Sequence, residues 1–363
     1  MATCKYCGKS AGLLSRAHKE CEEKHVVGIM TLRRLLEKYF QGTSSNVQTE
    51  VSKLRRENFI NSNDIASEFG KALDDYTTRI RRPFSPQTPQ IVTRLVAALG
   101  ESFNSLDANG AISRFAQKLM KGSIAEYFTG HQNIASTQTA IHGIQVALPV
   151  SNDITSDTCY YMLEKAADNF LKDGLLTPQE DNMVNEYTRA FGIQPVNLPA
   201  KYQNGNIVRL TQAGILTGLQ NGQLPIQMTS YPIVLGKSEV VLWNYEGVKL
   251  YEEKVQREYR GTHHGFSVRI CKGVYYRPGV TRAKPVEHNY MNLEGTGSLY
   301  ITNKNLIFNS STRGVKIPYT KIIGLTPYSD GLELNRDGNA KRIVLQGFDS
   351  WFVMNVLSLV NNI

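Results

Sequence analysis

Apolar residues recur with the period of an α-helix through the first two hundred residues of this 363-residue chain. Between Ser15 and Phe40, for example, Ile29, Leu32 and Leu36 lie three or four positions apart, with charged side chains between them. Comparable patterns follow, one with Val47, Val51 and Leu54, one with Ile65, Phe69, Leu73, Tyr76 and Ile80, and others near residues 90–105, 110–128 and 155–172. The pattern predicts an all-helical domain over residues 26–200.

After residue 230 the pattern changes to the short alternating runs typical of β-strands. Gly, Asn and Asp separate the runs EVVLWNYEGVKLYEEKV, SVRICKGVYYR, GSLYITNKNLIFN, GVKIPYTKIIGLTPYS and GLELNRDGNAKRIVLQG. The string RDGN in the last run is a hairpin signal. Asp349 is a helix cap, and the residues after it place one apolar helical face at Phe352, Val356, Leu359 and Val360. We therefore predict several antiparallel strands closed by one C-terminal helix.

Three cysteines and one histidine lie within the string CKYCGKSAGLLSRAHKEC, residues 4–21. Cys4 and Cys7 form a C-x2-C pair, and His18 and Cys21 form an H-x2-C pair after ten intervening residues. Thiolate and imidazole are the ligands that Zn²⁺ prefers, and four of them fill a tetrahedral coordination shell. Because no position remains for water, we predict a structural zinc site rather than a catalytic one.

The residues around this motif suit a zinc knuckle. Gly8 permits a tight turn after the first pair, and Ser15 is placed to cap a helix that carries His18 and Cys21 on one face. His25 is an alternative fourth ligand. The motif resembles treble-clef and zinc-ribbon modules, which bind nucleic acid or protein, and it does not choose between the two.

Composition limits the classes of protein to consider. The net charge of +9 points toward a polyanionic partner, and residues 1–60 hold eleven Lys or Arg against six Glu. We expect the remaining excess to be spread over a generally basic surface. The chain has no run of eighteen apolar residues, its first residues lack a signal peptide, and its five cysteines form no disulfide framework. These features predict a cytoplasmic protein without a transmembrane segment.

The segment KAADNFLKDGLLTPQEDNMVNEYTRAFGI, residues 165–193, combines a turn with a helix start. An N-cap, an N1 proline and an N3 acid are supplied by Thr177, Pro178 and Glu180. An EF-hand with Gly174 at loop position six would place Asn169 and Leu171 at positions one and three, so oxygen ligands for calcium are weakened or missing. The D-G-x-L-T-x-x-E arrangement instead resembles the TerB-like helical domains of bacterial tellurite-resistance and stress proteins.

The C-terminal region carries a second resemblance. The stretch GTGSLYITNKNLIFNSSTRGVKIPYTKIIGLTPYSDGLEL, residues 295–334, resembles the strand core of bacterial PH-like and GRAM-like domains, and GFSVRICKGVYYRPG, residues 265–279, is similar to part of that family. The resemblance covers about 130 residues, from Tyr231 to Ile363. It implies an antiparallel PH-like barrel capped by a helix, a fold that binds lipids, peptides or proteins.

A catalytic arrangement is not evident in the sequence. The string EHNY at 287–290 lacks the context of an HNH nuclease, and adjacent His263 and His264 suit a solvated hairpin tip. Phosphate-binding and nucleophile-elbow motifs are missing. Basic residues interleaved with tyrosines instead predict a partner-binding surface at Arg257, Arg260, Arg269, Lys272 and Arg277, with Arg282 and Lys284 nearby.

Together these patterns predict an α+β multidomain protein: a zinc knuckle over residues 1–25, a partly TerB-like helical domain over 26–200, a connector over 201–230 and a PH-like domain over 231–363. This order resembles bacterial proteins of stress response and phage defence. The leading hypothesis is a non-enzymatic adaptor with structural Zn²⁺ that binds a protein or an anionic membrane surface. The alternatives are a zinc-dependent nucleic-acid-binding protein and an enzyme with an unrecognised site.

Overall fold

A computed structural model describes residues 2–12, 16–44, 46–172, 176–194, 198–203, 205–225, 230–265, 268–271, 274–276, 279–338 and 341–360, with the backbone alone between 255 and 289. The chain divides into two compact units. The first comprises Met1–Lys172 and Pro178–Val208, and the second comprises Asp173–Thr177 and Arg209–Ile363. In the described residues, no helix has the length and apolar character needed to cross a membrane.

The first unit begins with two short paired strands and continues as helices. The strands are β1 (Ala2–Thr3) and β2 (Ser10–Gly12). The helices are α1 (Lys19–Phe40), α2 (Val47–Glu57), α3 (Ser62–Arg79), α4 (Thr88–Leu99), α5 (Phe103–Leu106), α6 (Ala111–Phe128), α7 (Ile134–Ala147), α8 (Asn152–Phe170) and α9 (Pro178–Ala190). A 3₁₀ turn follows at Ala200–Tyr202, and α10 begins at Asn206.

The core of the first unit is formed where α1 packs on α3, α3 packs on α6, and α6 packs on α7 and α8. Leu32 and Leu36 of α1, Phe69 of α3, Phe115 of α6 and Leu163 of α8 are fully buried. Burial of each such side chain contributes on the order of 2 kcal/mol. The helical period seen in the sequence therefore corresponds to the faces that form this core.

Helix α7 was not predicted by the apolar pattern. Ile141 and Ile144 are buried, but Val146 is 71% exposed on the same helix. Apolar residues therefore lie on both sides of α7, and the period is blurred. The segment near 90–105 also differs from expectation, since it is broken at Gly100, whose φ of +68° ends α4.

The second unit takes in α10 (Asn206–Gln220) from Arg209 onward and an antiparallel sheet. Its further elements are β3 (Val241–Gly265), β4 (Val268–Cys271), β5 (Val274–Tyr276), β6 (Gly279–Thr302), β7 (Asn305–Asn309), β8 (Gly314–Pro318), a 3₁₀ turn (Tyr319–Lys321), β9 (Ile322–Tyr328), β10 (Gly331–Arg336), β11 (Ile343–Gln346) and α11 (Trp351–Val360). Seven strands pair in the order β8, β7, β6, β3, β11, β10, β9.

One face of this sheet is covered by helix. Alternate residues such as Val248 and Leu250 of β3 and Leu299 and Ile301 of β6 point into a core with Phe352 of α11. Leu216 and Leu219 of α10 join the same core. The alternation read from the sequence is therefore the inward face of the sheet.

The expected closed barrel is not formed. Strands β8 and β9 are consecutive in the chain but occupy opposite edges of the sheet, and no pairing joins them in the described part of the chain. The turn Tyr319–Lys321 carries the backbone from one edge to the other. Hydrophobic alternation is the same in a sheet that closes and in one that stays open, so the sequence could not separate the two.

Strands β3 and β6 are far longer than the short runs expected. They have 25 and 24 residues and pair, with three register shifts between Val241 and Tyr251, to the end of β3, where Gly265 lies opposite Gly279. From Lys254 to Gly265 the two strands pair only with each other in the described residues, forming a ribbon of roughly 40 Å at about 3.3 Å per residue. We call this two-stranded segment, Lys254–Gly265 with Gly279–Tyr290, the β-ribbon.

Candidate metal centre and basic ribbon

The first two cysteines lie in a tight turn between β1 and β2. The amide of Cys4 donates to the carbonyl of Lys9 at 2.7 Å, and the amide of Gly8 donates back to the carbonyl of Cys4 at 2.9 Å. Gly8 has a φ of +72°, a conformation that is strained for residues with a side chain. The turn therefore holds Cys4 and Cys7 close together, as the C-x2-C spacing predicts.

The second pair comes from the start of α1. His18 is the N-cap residue, with extended backbone angles, and Cys21 lies in the first turn. The helix begins at Lys19, later than the sequence suggested, and Ser15 lies outside the described residues. The three-residue spacing between His18 and Cys21 places both side chains beside the turn that carries the first pair.

All four donor atoms lie within 4.8 Å of one another, and the set comprises Cys4, Cys7, His18 and Cys21. Nδ1 of His18 is 3.4 Å from Sγ of Cys7 and 3.8 Å from Sγ of Cys21. A tetrahedron with metal–sulfur bonds of about 2.3 Å and metal–nitrogen bonds of about 2.0 Å has edges of about 3.5 to 3.8 Å. The cluster can therefore hold a metal ion with little rearrangement.

Contacts around the cluster orient its ligands. Nε2 of His18 lies 2.9 Å from the carbonyl oxygen of Ser10. Because a carbonyl only accepts, Nε2 must carry the proton, and the lone pair of Nδ1 is left for a metal. The backbone amide of His18 also donates to Sγ of Cys4 at 3.5 Å. The residues present therefore fit a metal in both donor type and tautomer.

The Cys4 thiol is set up to ionise. Burial raises its pKa. Hydrogen bonds from the backbone amides of Cys7, His18 and Tyr6 lower it by more than burial raises it, so the pKa falls from 9.0 to about 6. Amide donors stabilise a thiolate in the same way as they stabilise other anions. Cys4 therefore favours the anionic form that binds metal.

Two of the other three ligands have a raised pKa. Partial burial and hydrogen bonds with Cys7 and Cys4 raise the pKa of Cys21 to about 11. The carbonyl of Ser10 and the side chain of Cys7 raise the pKa of His18. Three thiols in one site cannot all ionise unless a positive charge compensates them. The electrostatics of the site are therefore those of a cation-binding cluster.

His25, the alternative ligand, lies outside the cluster. Its Nε2 atom is 3.6 Å from Oδ1 of Asp64 in α3, and its ring is 4.7 Å from the ring of Tyr6. His25 therefore packs the knuckle against the helices. In the described residues, the four-residue cluster is the single group of three or more Cys, His, Asp or Glu able to hold a metal.

The described residues do not support a calcium-binding EF-hand near residue 171. Leu171, which would occupy loop position three, is the C-cap of α8, and α9 begins at Pro178. Asp173 and Gly174 lie outside the described residues. The nuclease-like string EHNY lies in β6 rather than in a loop, and His263 and His264 lie in β3, opposite Thr281 and Val280.

The predicted partner-binding residues fall on and beyond the β-ribbon. Arg257 and Arg260 lie in β3, and Arg269 lies in β4, while Lys272 and Arg277 are outside the described residues. Register places Arg257 opposite Glu287 and Arg260 opposite Lys284. Arg257 and Arg260 thus lie on the β-ribbon, where alternation places them on opposite faces, and Arg269 lies in the separate β4–β5 pair.

Charge is concentrated in this hairpin rather than spread as expected. Residues 255–289 contain seven Arg or Lys and two Glu, a net charge of +5 out of +9. With the surplus of five in residues 1–60, the rest of the chain carries one net negative charge. The sequence pattern predicted a basic surface between Arg257 and Lys284. Register adds that residues 255–265 and 279–289, with a net charge of +1 each, are joined in one element, and the other three positive charges belong to residues 266–278.

Comparison with protein-family models and with curated proteins finds no match for this chain. The TerB-like and PH-like resemblances therefore stay predictions.

Proposed function

We propose that this protein is a non-enzymatic adaptor, braced by a structural Zn²⁺ and binding an acidic protein partner through its β-ribbon. The observation that carries the proposal is the β-ribbon itself. A two-stranded hairpin is marginally stable alone in water, and this one extends roughly 40 Å without a third strand in the described residues. A partner that covers it would supply the missing contacts.

The charge pattern indicates the chemistry of that partner. Residues that pair across strands or alternate along one strand share a face, so Arg260, Lys284 and Arg282 fall on the same face, with Glu258 as its one acid among the paired positions 258–262 and 282–286. Arg260 and Lys284 are directly opposed, and like charges in this position destabilise a pair of strands. An acidic surface of a partner packed against this face would compensate the repulsion between Arg260 and Lys284. Such a partner would therefore bind this face of the β-ribbon specifically.

Zinc is assigned a bracing role in the proposal. Cys4, Cys7, His18 and Cys21 would hold it, and the ion would supply the positive charge that keeps three thiolates together. With four protein ligands the shell is full, which leaves no position for a reacting water. The resemblance to TerB-like and PH-like domains, both associated with binding, supports a platform of this kind in bacterial stress or phage defence.

The test is a pair of charge variants of the full-length protein. Arg260→Gln with Lys284→Gln removes two charges from the ribbon face, while Lys249→Gln with Lys321→Gln removes two exposed charges elsewhere in the same unit. Partners captured from the native cell and identified by mass spectrometry should be depleted at least tenfold by the first variant and retained by the second. Equal recovery from both would refute the adaptor proposal.

A second candidate is binding of double-stranded nucleic acid by the same element. A two-stranded β-ribbon fits the major groove of B-DNA, and the β-ribbon's net charge of +3, from five Lys or Arg against two Glu, suits phosphates. Affinity for a 30-base-pair duplex would then fall steeply with salt, and the ribbon variant would reduce the slope of log K against log salt by about two. Such a result, with native protein partners unchanged, would favour this candidate over the adaptor.

A further inference from the structure

A groove of about 470 Å³ lies in the first unit, between α6, α8 and the segment that follows α3. Five cationic side chains line it, namely Arg81, Arg82, Lys118, Lys121 and Lys165. Small-molecule sites in proteins are commonly concave pockets of roughly 300 to 1,000 Å³. The groove is therefore of a size for a small ligand, and its lining is strongly basic.

Two of these cations are neutralised by neighbouring acids. Arg82 lies 3.7 Å from a carboxylate oxygen of Glu126, and Lys165 lies 3.4 Å from Asp168. Arg81, Lys118 and Lys121 have no carboxylate within salt-bridge distance among the described residues. The groove thus gathers three positive charges without an acid to balance them.

Two of these three cations are positioned by backbone carbonyls. Arg81 donates to the carbonyl of Thr78 at 2.7 Å, at the end of α3, and Lys118 donates to the carbonyl of Thr77. Burial, and then the charge of Arg81, lower the pKa of Lys118. Mutual repulsion of this kind costs stability, and an anion in the groove would relieve it.

Aromatic side chains lie beside the cations. Nζ of Lys121 is 4.4 Å from the ring centroid of Tyr161, which is 40% exposed. The ring of Phe84 lies against Gly122, where an added Cβ would stand 2.3 Å from Cε2 of the ring. Gly122 thus lets the Phe84 ring approach α6 closely, and the groove presents two ring surfaces as well as positive charge.

We propose that this groove binds a nucleotide, with the phosphates held by Arg81, Lys118 and Lys121 and the base placed against Phe84 or Tyr161. Phosphate oxygens match Lys and Arg donors that have no carboxylate partner, and a planar base stacks on an aromatic ring. The site lies in the first unit and does not depend on the β-ribbon or on the metal cluster.

The experiment is calorimetric titration of the full-length protein with three probes. ATP carries both phosphates and a base, tripolyphosphate lacks the base, and adenosine lacks the phosphates. We expect ATP to bind at least tenfold more tightly than either of the others. Equal affinity for tripolyphosphate would overturn the assignment of a base, equal affinity for adenosine would overturn the phosphate site, and no binding of ATP would overturn the proposal.

Location is tested with paired variants. Lys118→Gln with Lys121→Gln should weaken ATP binding at least tenfold, while Lys38→Gln with Lys53→Gln, two exposed lysines outside the groove, should leave it unchanged. A measurement that needs no substitution uses the wild-type protein labelled at its methionine methyl groups. The signal of Met162, which lines the groove, should shift on adding ATP, and an unshifted signal would refute this location.

Discussion

The Nε2 atom of His18 donates a hydrogen bond to the carbonyl oxygen of Ser10 across 2.9 Å. This contact fixes the ring so that Nδ1 is directed at the sulfurs of Cys7 and Cys21. A hydrogen bond of this kind is the usual means by which a metal-binding histidine is oriented. The relationship leads directly to a prediction about metal content.

We expect the purified protein to contain about one Zn²⁺ per chain, and His18→Ala to lose most of it, because His18 supplies one of four ligands. His25→Ala is the matched control, since His25 pairs with Asp64 outside the cluster and should retain the metal. Elemental analysis of both variants measures the difference. Equal metal loss in both, or a wild-type protein without zinc, would contradict the prediction.

Loss of the metal should be confined to the first unit. Both tryptophans of the chain, Trp243 and Trp351, belong to the second unit, so tryptophan fluorescence reports on that unit alone. We expect Cys4→Ser to lower the urea concentration at the unfolding midpoint when unfolding is monitored by helical circular dichroism. The midpoint monitored by tryptophan fluorescence should stay unchanged. A parallel fall in the fluorescence midpoint would show that the two units do not unfold separately.

Two glycines in helices of the first unit should respond oppositely to alanine. Gly122→Ala places a Cβ 2.3 Å from the ring of Phe84, so the ring must move, at a cost of about 1 to 3 kcal/mol. Gly143→Ala has no atom within 4 Å of the new Cβ and should stabilise α7 by about 0.5 to 1 kcal/mol. Urea unfolding monitored by helical circular dichroism measures both. A stabilising Gly122→Ala would contradict the close packing of Phe84.

The sequence predicted those features that local spacing determines. The helical period located Leu32 and Leu36 in the core, and the C-x2-C and H-x2-C pairs located the metal cluster. Spacing was sufficient there because each pair is positioned by its own turn. It was insufficient to choose between His18 and His25, since that choice depends on Asp64, 39 residues further along the chain than His25.

The features that were missed depend on contacts between distant segments. Closure of the sheet depends on whether β8 pairs with β9, and the sequence of neither strand indicates which strand it pairs with. The β-ribbon depends on pairing residues 254–265 with 279–290, which merges two modest charge excesses into one. The groove gathers Arg81 from the end of α3 with Lys118 and Lys121 from α6 in the same way.

A buried carboxylate in the second unit gives a prediction about pH. Glu239 is nearly fully buried and accepts hydrogen bonds from Lys316 at 2.8 Å, Thr302 at 2.8 Å, Asn305 at 2.5 Å and the amide of Gly236 at 2.7 Å. Burial raises the pKa of Glu239, but these donors outweigh it and lower the pKa from 4.5 to about 2. The network ties the start of β3 to β6, β7 and β8.

Because its folded pKa is depressed, Glu239 contributes stability that is present above about pH 4.5 and is lost as the pH falls toward 2. The lowered pKa corresponds to on the order of 3 kcal/mol. We expect Glu239→Gln to destabilise the second unit at pH 7 by up to about this amount and to flatten the dependence of its stability on pH between 5 and 3. Glu246→Gln, at an exposed position in β3, should leave both the stability and its pH dependence unchanged. Urea unfolding, monitored by the fluorescence of Trp243 and Trp351, measures the stability of the second unit directly. If Glu239→Gln keeps the full loss of stability in acid, that loss is due to other carboxylates and the prediction is wrong.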